Sequence, residues 1–483
     1  MHVYWIFNCL AVLALLLENE ERVVLSEIKA HKSLLTKEVR AQPVLEKGNP
    51  LLFSKIDIPP ELLTTTDSLT FGGDIRIGDL TGDGQVDFLV YRSEDNAHDG
   101  GGMKPCFWAA FTQDGKILWQ RGTGGEQPSR PGPVAIFDID RDGVSEVITF
   151  AHQSGVDAPN GSLQDVEILV IGGQTGEVER QVKPEIFQDI QGEGANWVHQ
   201  RILLANLRGQ STPQDFVIKL GTYVLAFDDQ LNLLWSYQHN WREYSRVPAY
   251  VPAVGDIDND SKDEVNGGYY LLDDDGSVLW EEMLGRHMDA VAIDYWDDLT
   301  KKRAFASGFG HVLDEKGNII LKLGEEVVPH GQELRVGHFD STLPRPQMMI
   351  RYNGHQPDVM LVDQSGQVVR RFQLNESPNN TGMEVVYWYG ADQPALLYNG
   401  GQLWNGKGKS VITFQELPPP RGNKRQGWYH CIPANVCGDE REEVILYNPW
   451  DTAIYIYTPA PFHEDAFAGY QPTPRQYNVR LMD

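Results

Sequence analysis

Short apolar runs with alternating polar positions recur along most of the chain, and turns rich in Gly, Asp and Asn separate them. Alternation of this kind is typical of half-buried β-strands, whereas apolar spacing of three and four residues is typical of helices. The pattern repeats about every 50 residues as strand, polar loop, strand, hairpin and strand. That unit is the plan of a β-propeller blade, so we predict an all-β fold.

Three copies of the repeat contain an acid-rich loop, with the sequences GDLTGDGQVD (78–87), FDIDRDGVSE (137–146) and GDIDNDSKDE (255–264). In each copy the final acid follows the first acid by eight residues. Closely spaced oxygen ligands suit a hard cation such as calcium, although a solvated acidic turn is the alternative for any single copy. The predicted calcium ligands are Asp79, Asp83, Asp87, Asp138, Asp140, Asp142, Glu146, Asp256, Asp258, Asp260 and Glu264.

Five weaker copies keep the outline of the loop and have lost most of its acids, which makes eight units in all. The last unit lacks an outer strand, and Leu51–Ile56 can supply it and thereby close the ring. The predicted fold is an eight-bladed β-propeller over residues 49–483, with seven blades as the alternative. The weaker copies are centred near Asn206, Asp294, His338, Trp388 and Asn435.

The N-terminal part of the chain has a different pattern. Residues 3–17 are apolar except for Asn8, a length that suits a signal peptide better than a membrane span. We expect residues 1–22 to be a signal peptide or an N-terminal anchor, with a buried apolar helix as the alternative. Residues 23–48 are predicted to form a short helical linker. The expected location is secreted, cell-surface or periplasmic, and the expected state is a monomer.

Composition narrows the choice of partner. Lys and Arg total 41 against 68 Asp and Glu, a formal net charge of −27. This charge repels phosphate backbones and argues against binding to nucleic acid. The four cysteines are too few for a disulfide framework, and Cys431 and Cys437 flank a strand that would hold them too far apart to pair.

The segments that enter the inner strands of a propeller line the mouth of its central channel, and in this chain they are rich in His, Arg and Trp. A ring of polar residues at one level suits a polar ligand on the axis. The candidate catalytic residues are His199, His239, Arg242, Tyr244, Arg246, His287 and His330. The candidate substrate-binding residues are Trp197, Arg201, Asn240, Trp241, Asp289, Glu333, Trp428 and His430.

Residues 239–246 contain the group types that β-elimination at a uronic acid requires. Arg242 or Arg246 would neutralise the sugar carboxylate, which acidifies the neighbouring C–H group. Tyr244 or His239 would accept that proton, and a second such group would protonate the leaving oxygen.

The same residues leave other chemistries open. Hydrolysis would need two carboxylates across the bond, for which Asp289 and Glu333 are candidates. His287 with Asp289, or His199 with His239, could instead bind a metal ion. A non-catalytic propeller that binds carbohydrate or protein would use the acid-rich loops only as struts. The D-G-x-x-L-W turns also suggest a quinone-dependent dehydrogenase.

The acid-rich loops resemble the FG-GAP calcium loops of integrin-like propellers. The stretch Val251–Asp294, with its aspartate-rich loop, D-x-D-G turn and His-Asp segment, resembles the propeller of the rhamnogalacturonan lyases of polysaccharide lyase family 11. Ulvan lyases and L-rhamnose-α-1,4-D-glucuronate lyases are related propellers. The resemblance implies an extracellular, calcium-containing lyase that cleaves an acidic polysaccharide at a rhamnose–uronic acid linkage. It also implies Tyr or His as acid and base, and Arg or calcium on the carboxylate.

Overall fold

The protein is described by a computed structural model that covers the strand-rich part of the chain. The predicted signal peptide or anchor and the predicted helical linker lie outside the described residues. Within those residues, no helix has the length and apolar character needed to cross a membrane. The described residues are 50–66, 69–93, 105–126, 132–152, 163, 166–190, 201–377, 381–422, 427–461 and 469–473.

Antiparallel strands form eight four-stranded sheets in this part of the chain. The first strand of one sheet contacts the first strand of the next sheet, which places the first strands around a common axis. The sheets are therefore the blades of an eight-bladed β-propeller. The predicted fold is confirmed, and the seven-bladed alternative is excluded.

The strands of each blade follow one another from the axis outward. Blade 1 comprises Asp74–Gly78, Asp87–Ser93, Pro105–Phe111 and Ile117–Gly122, and blade 2 comprises Val134–Phe137, Glu146–His152, Val166–Ile171 and Val178–Val182. Blade 3 comprises Ile202–Ala205, Asp215–Leu220, Tyr223–Asp228 and Leu233–Gln238, and blade 4 comprises Ala253–Gly255, Glu264–Asn266, Tyr270–Leu272 and Val278–Glu281.

Blades 5 to 8 follow the same order. Blade 5 comprises Val291–Tyr295, Lys302–Ala306, His311–Leu313 and Ile319–Lys322, and blade 6 comprises Glu333–Gly337, Gln347–Arg351, Asp358–Val362 and Val368–Gln373. Blade 7 comprises Glu384–Val386, Leu396–Asn399, Gln402–Trp404 and Ser410–Thr413, and blade 8 comprises His430–Ala434, Glu443–Tyr447, Ala453–Pro459 and Pro50–Asp57. Among the described residues, a hairpin and three 3₁₀ turns lie outside these sheets: Thr64–Thr66 with Leu69–Phe71, and Pro60–Leu62, Glu185–Gln188 and Tyr244–Arg246.

The ring is closed by the N-terminal strand, as the sequence predicts. Pro50–Asp57 pairs antiparallel with Ala453–Pro459 and becomes the outer strand of blade 8. A hydrogen bond from Tyr447 Oη to Asp74 Oδ1 (2.8 Å) then joins blade 8 to blade 1. Because Asp74 is 2% exposed, this contact is shielded from water.

One buried side chain fastens the loop between the first two strands of most blades. In blade 2 the Glu146 carboxylate accepts a hydrogen bond from the Ile139 N–H (3.0 Å), and in blade 6 the Gln347 amide oxygen accepts one from the Phe339 N–H (2.7 Å). The final acid of the repeated motif therefore has a structural role even where the other acids are lost. The same contact is made by Asp87, Asp215, Glu264 and Glu443.

Several pairs of neighbouring blades are joined at their outer strands by an aromatic ring packed on a glycine. Trp235 in blade 3 lies against Gly276 in blade 4, where a Cβ atom would come within 2.7 Å of the ring. Gly276 also has a φ angle of +81°, which a residue with a side chain rarely adopts. Trp280 packs on Gly317 in the same way, so the D-G-x-x-L-W turns have a structural role between blades.

We predict that Trp280→Ala lowers the free energy of unfolding by about 3–5 kcal/mol, because it removes a buried ring from the contact between blades 4 and 5. Leu279→Ala is the matched control, since the neighbouring Leu279 side chain is exposed. Its effect should be about 1 kcal/mol or less. Chemical denaturation of both variants measures the difference, and equal losses would contradict this role for Trp280.

Candidate active site

Antiparallel pairing sorts the loops of a blade to opposite ends. The acid-rich loops lie where the first strands end, whereas the connections between blades lie where the first strands begin. We call the latter end the mouth face and define it by the connections 239–252, 282–290 and 323–332. The histidines predicted in these connections therefore share one end of the propeller.

Two of these histidines share one carboxylate. The Nε2 atoms of His287 and His330 lie 3.0 Å and 2.9 Å from Asp289 Oδ2. The two imidazole rings are nearly perpendicular, with centroids 4.7 Å apart. The structure thus unites residues from the connections between blades 4 and 5 and between blades 5 and 6.

Backbone hydrogen bonds hold this cluster in place. The His287 N–H donates to Ser245 O (2.9 Å), and the Met288 N–H donates to Val247 O (3.1 Å). On the other side, the His330 N–H donates to Tyr352 O (3.0 Å). The cluster is therefore anchored both to the connection 239–252 and to blade 6.

Charge and burial define the protonation of the cluster. Burial raises the pKa of Asp289, but the hydrogen bonds from His287 and His330 outweigh burial and leave this pKa below its ordinary value. An ionised carboxylate only accepts hydrogen bonds, so each Nε2 atom carries its proton when these contacts form. Asp289 thereby orients two imidazoles, the side chains best suited to proton transfer near neutral pH.

The same three side chains are also a donor set for a metal. Their two imidazole nitrogens and one carboxylate oxygen lie within 4.8 Å of one another. A divalent transition metal accepts such ligands, so the metal alternative at His287 and Asp289 extends to His330.

His239 lies in a different environment. It is 2% exposed, and its ring packs against Trp241 and Tyr270 with centroid distances of 5.8 Å and 6.1 Å. Burial is the largest cause that lowers the pKa of His239, to about 3. A neutral imidazole with so low a pKa is a weak general base, so the structure favours His287 and His330 for proton transfer.

The other candidates near His239 are more accessible. Asn240, Arg242 and Arg246 are exposed on the mouth face. The backbone of Tyr244 lies in the 3₁₀ turn before Val247, but its side chain falls outside the described part. Trp197 and His199 also lie outside the described residues, so their roles stay predictions.

The remaining candidates are mostly buried. Glu333 is fully buried, lies 2.8 Å from Arg351 Nε and accepts a hydrogen bond from the Met383 N–H. A carboxylate so enclosed in an ion pair is placed to hold blades 6 and 7 together. Arg201 and His430 are buried as well, whereas Trp428 is half-buried.

Two residues of the mouth face are absent from the sequence-based candidates. The His355 ring lies 6.2 Å from the His330 ring and extends the cluster. Lys219 is buried at the end of the second strand of blade 3. Lys219 could have been found from the sequence, because a lysine inside the apolar run DFVIKL is unusual. No sequence pattern marks His355.

The acid-rich loops fit a cation in two blades. Glu264 Oε1 and Asp138 Oδ1 are buried and have no hydrogen-bond partner among the described residues, so each presents an oxygen that a cation would satisfy. In blade 1, by contrast, Asp79 accepts hydrogen bonds from three backbone N–H groups. The groups with ligand atoms within 4.8 Å of one another are Asp138, Asp140 and Glu146; Asp256, Asp258 and Asp260; and Glu264, Asp273 and Asp274.

Comparison with known proteins identifies relatives with this fold. The chain is 25% identical over 453 residues to the rhamnogalacturonan exolyase YesX of Bacillus subtilis (strain 168), with 80% of the chain and 70% of the relative covered. It is 24% identical over 437 residues to the rhamnogalacturonan endolyase YesW of the same strain, with 80% and 67% covered. The solved rhamnogalacturonan lyase of Bacillus licheniformis superposes with a TM-score of 0.66 and 18% identity over 89% of this chain and 78% of that one.

These matches place the protein among the polysaccharide lyases built on a β-propeller. The model of the C-terminal domain of rhamnogalacturonan lyase family 11 matches residues 219–470, a little over half of the chain. The chain therefore belongs to rhamnogalacturonan lyase family 11, as the resemblance at Val251–Asp294 predicts.

We predict that the calcium-free protein loses stability as pH rises from 4.5 to about 8. Burial raises the pKa of both Glu146 and Glu264 from 4.5 to about 8, so the native state keeps protons that the unfolded chain has released. The free energy of unfolding then falls across this interval. Melting temperatures in a chelator should show the decline, and Glu146→Gln with Glu264→Gln should flatten it. Glu177→Gln, on an exposed turn, should leave the slope unchanged.

Proposed function

We propose that this protein cleaves a rhamnose–uronic acid linkage of rhamnogalacturonan by β-elimination outside the cytoplasm. The observation that carries the proposal is the pair of histidines held by Asp289 on the mouth face of a family 11 propeller. The exolyase and endolyase activities that the names of YesX and YesW state support the substrate class. The size of such a polymer supports an external location.

Proton transfer is assigned to the histidine pair. His330 has 23% of its side chain exposed against 8% for His287, so His330 is better placed to meet a substrate. In the proposed step, Nδ1 of neutral His330, whose Nε2–H is held by Asp289, removes the proton from the carbon next to the uronate carboxylate. The electron pair of that C–H bond forms a C=C bond, and the glycosidic C–O bond breaks. Tyr244, or the imidazolium form of His287 through its Nδ1–H, protonates the leaving oxygen.

Neutralisation of the substrate carboxylate is assigned to the connection 239–252. Arg242 and Arg246 are exposed on this connection, and its carbonyls at Ser245 and Val247 hold the segment of His287. Backbone hydrogen bonds therefore connect the segment that carries Arg242 and Arg246 to the segment that carries His287. In a chain with a net charge of −27, a polyanion needs such a local concentration of positive charge.

Calcium is proposed at the acid-rich loops of blades 2 and 4. The buried, unpartnered oxygens of Asp138 and Glu264 support this assignment, and carboxylate oxygens are preferred calcium ligands. Because these loops lie at the end opposite to the mouth face, calcium there would stabilise the blades without touching the substrate.

The catalytic assignment predicts that His330→Ala lowers turnover of rhamnogalacturonan by roughly 10²–10⁴-fold, the size of an acid–base contribution. Asp289→Asn should also lower turnover, because an amide does not hold both imidazoles in the same protonation state. Release of unsaturated uronate, followed by its ultraviolet absorbance, measures the rates.

The controls separate this site from the neighbouring candidates. His239→Ala and Tyr244→Phe test the sequence-based assignment in blades 3 and 4, and full activity of His330→Ala with loss in Tyr244→Phe would move catalysis there. A folded wild type that binds rhamnogalacturonan but releases no unsaturated product would instead support a non-catalytic binding propeller.

The calcium proposal predicts a loss of metal-dependent stability in blade 2. Asp140→Asn with Asp142→Asn should reduce the rise in melting temperature that calcium causes, because two candidate ligand carboxylates are removed. Differential scanning calorimetry with calcium and with chelator measures this rise. A melting temperature that calcium does not change in the wild type would overturn the proposal.

A further inference from the structure

Lys219 is a buried cation for which the described residues supply no countercharge. It is 8% exposed, and it forms no ion pair with a carboxylate in that part of the chain. Its ammonium donates to Gly221 O (2.9 Å) and lies 5.9 Å from the centre of the Tyr250 ring. An ammonium group has three N–H donors, so one carbonyl leaves most of its hydrogen-bonding capacity available.

Another buried cation in the same fold shows what a structural role requires. Arg92 is 3% exposed and donates to three backbone carbonyls, those of Leu62, Gly72 and Gly124, at 2.7–2.8 Å. Its guanidinium also stacks on Phe107. Arg92 is thus satisfied within the protein, whereas Lys219 is not.

The position of Lys219 connects it to the candidate active site. Alternation along Asp215–Leu220 places Lys219 on the same side as Val217, which packs against Val265 and Tyr270 of blade 4. Lys219 therefore lies between blades 3 and 4, with its ammonium close to the Tyr250 ring. Tyr250 belongs to the connection 239–252, whose carbonyls also hold the His287 segment.

The free-energy cost of burying the Lys219 ammonium without a countercharge supports the binding of an anion beside it. Burial lowers the pKa of Lys219 to about 8, because the charged form is poorly solvated there. His239, which lies close by, has a pKa of about 3 and is neutral, so it supplies no negative charge. An anion at this position would stabilise the ammonium and satisfy its remaining donors.

We propose that Lys219 is a specificity-determining residue that binds a uronate carboxylate of the polysaccharide between blades 3 and 4. This inference rests on the proposed function for its substrate. The carboxylate binds by a charge-assisted hydrogen bond, and a neutral sugar in the same position makes no such contact. Lys219 thereby selects acidic over neutral sugars at a subsite next to the connection 239–252.

A labelling experiment on the wild-type protein tests binding without reliance on activity. Lysines are reductively methylated with formaldehyde and a borane reductant at mildly alkaline pH, and peptide mass spectrometry gives the rate at each site. Sodium galacturonate should slow methylation of Lys219 by roughly tenfold at ten times its Kd, whereas galactose should not. Lys316, exposed at the end opposite to the mouth face, is the internal reference and should react at the same rate throughout.

Substitution tests the role in turnover. Lys219→Met should raise KM for rhamnogalacturonan by roughly tenfold or more, the loss expected for a hydrogen bond to a charged group, with a smaller change in kcat. Lys219→Arg keeps the charge and should retain part of the affinity. Lys316→Met is the matched control and should leave KM unchanged.

The outcomes separate the two proposals. Protection of Lys219 by galacturonate in a protein that has no lyase activity would support the carboxylate site and contradict the proposed function. A lyase in which Lys219 is equally reactive with and without galacturonate, or in which Lys219→Met leaves KM unchanged, would overturn the carboxylate site alone. A Lys219 that formaldehyde does not label in the native protein would place the ammonium beyond the reach of any ligand and would also overturn it.

Discussion

Closure of the ring is the constraint on which the rest of the structure depends. The strands Pro50–Asp57 and Ala453–Pro459 are the first and the last strands of the propeller in chain order. Their pairing leaves no blade incomplete in the described part of the chain. The hydrogen bond between Tyr447 and Asp74 then joins the first and last blades near the axis. In every blade the first strand begins at the same face, so the connections between blades share that face, and closure keeps this arrangement around the whole ring.

The two ends of the propeller divide the work of the repeated motif. At one end, buried acids such as Glu146 and Glu264 accept hydrogen bonds from loop N–H groups, and a glutamine performs the same task in blade 6. The recurrent acid is thus required by the blade itself, and the additional acids create the opportunity for a cation. At the mouth face the connections differ from blade to blade in sequence, which leaves them free to carry chemistry.

The cluster of His287, Asp289 and His330 shows how a carboxylate controls its neighbours in a partly buried site. Asp289 stays ionised despite burial because two imidazoles donate to it. His239 is surrounded by aromatic rings instead of a carboxylate, so burial keeps it neutral. Lys219 is the converse case, a buried cation whose counterion does not come from the described residues.

The sequence by itself determined the fold, because the strand alternation, the turns and the eight-residue spacing of acids are local and recur from blade to blade. It also marked His287, Asp289 and His330 one by one, from their place before inner strands. Only the tertiary structure decided that these three form one cluster, since the contact between Asp289 and His330 joins the connections on either side of blade 5. It also decided that Glu333 is paired with Arg351, because that contact depends on the register of the first two strands of blade 6. Packing against aromatic rings in place of a carboxylate likewise separates His239 from His287 and His330. The solvation of a side chain depends on what the neighbouring blade places over it, which no local pattern records.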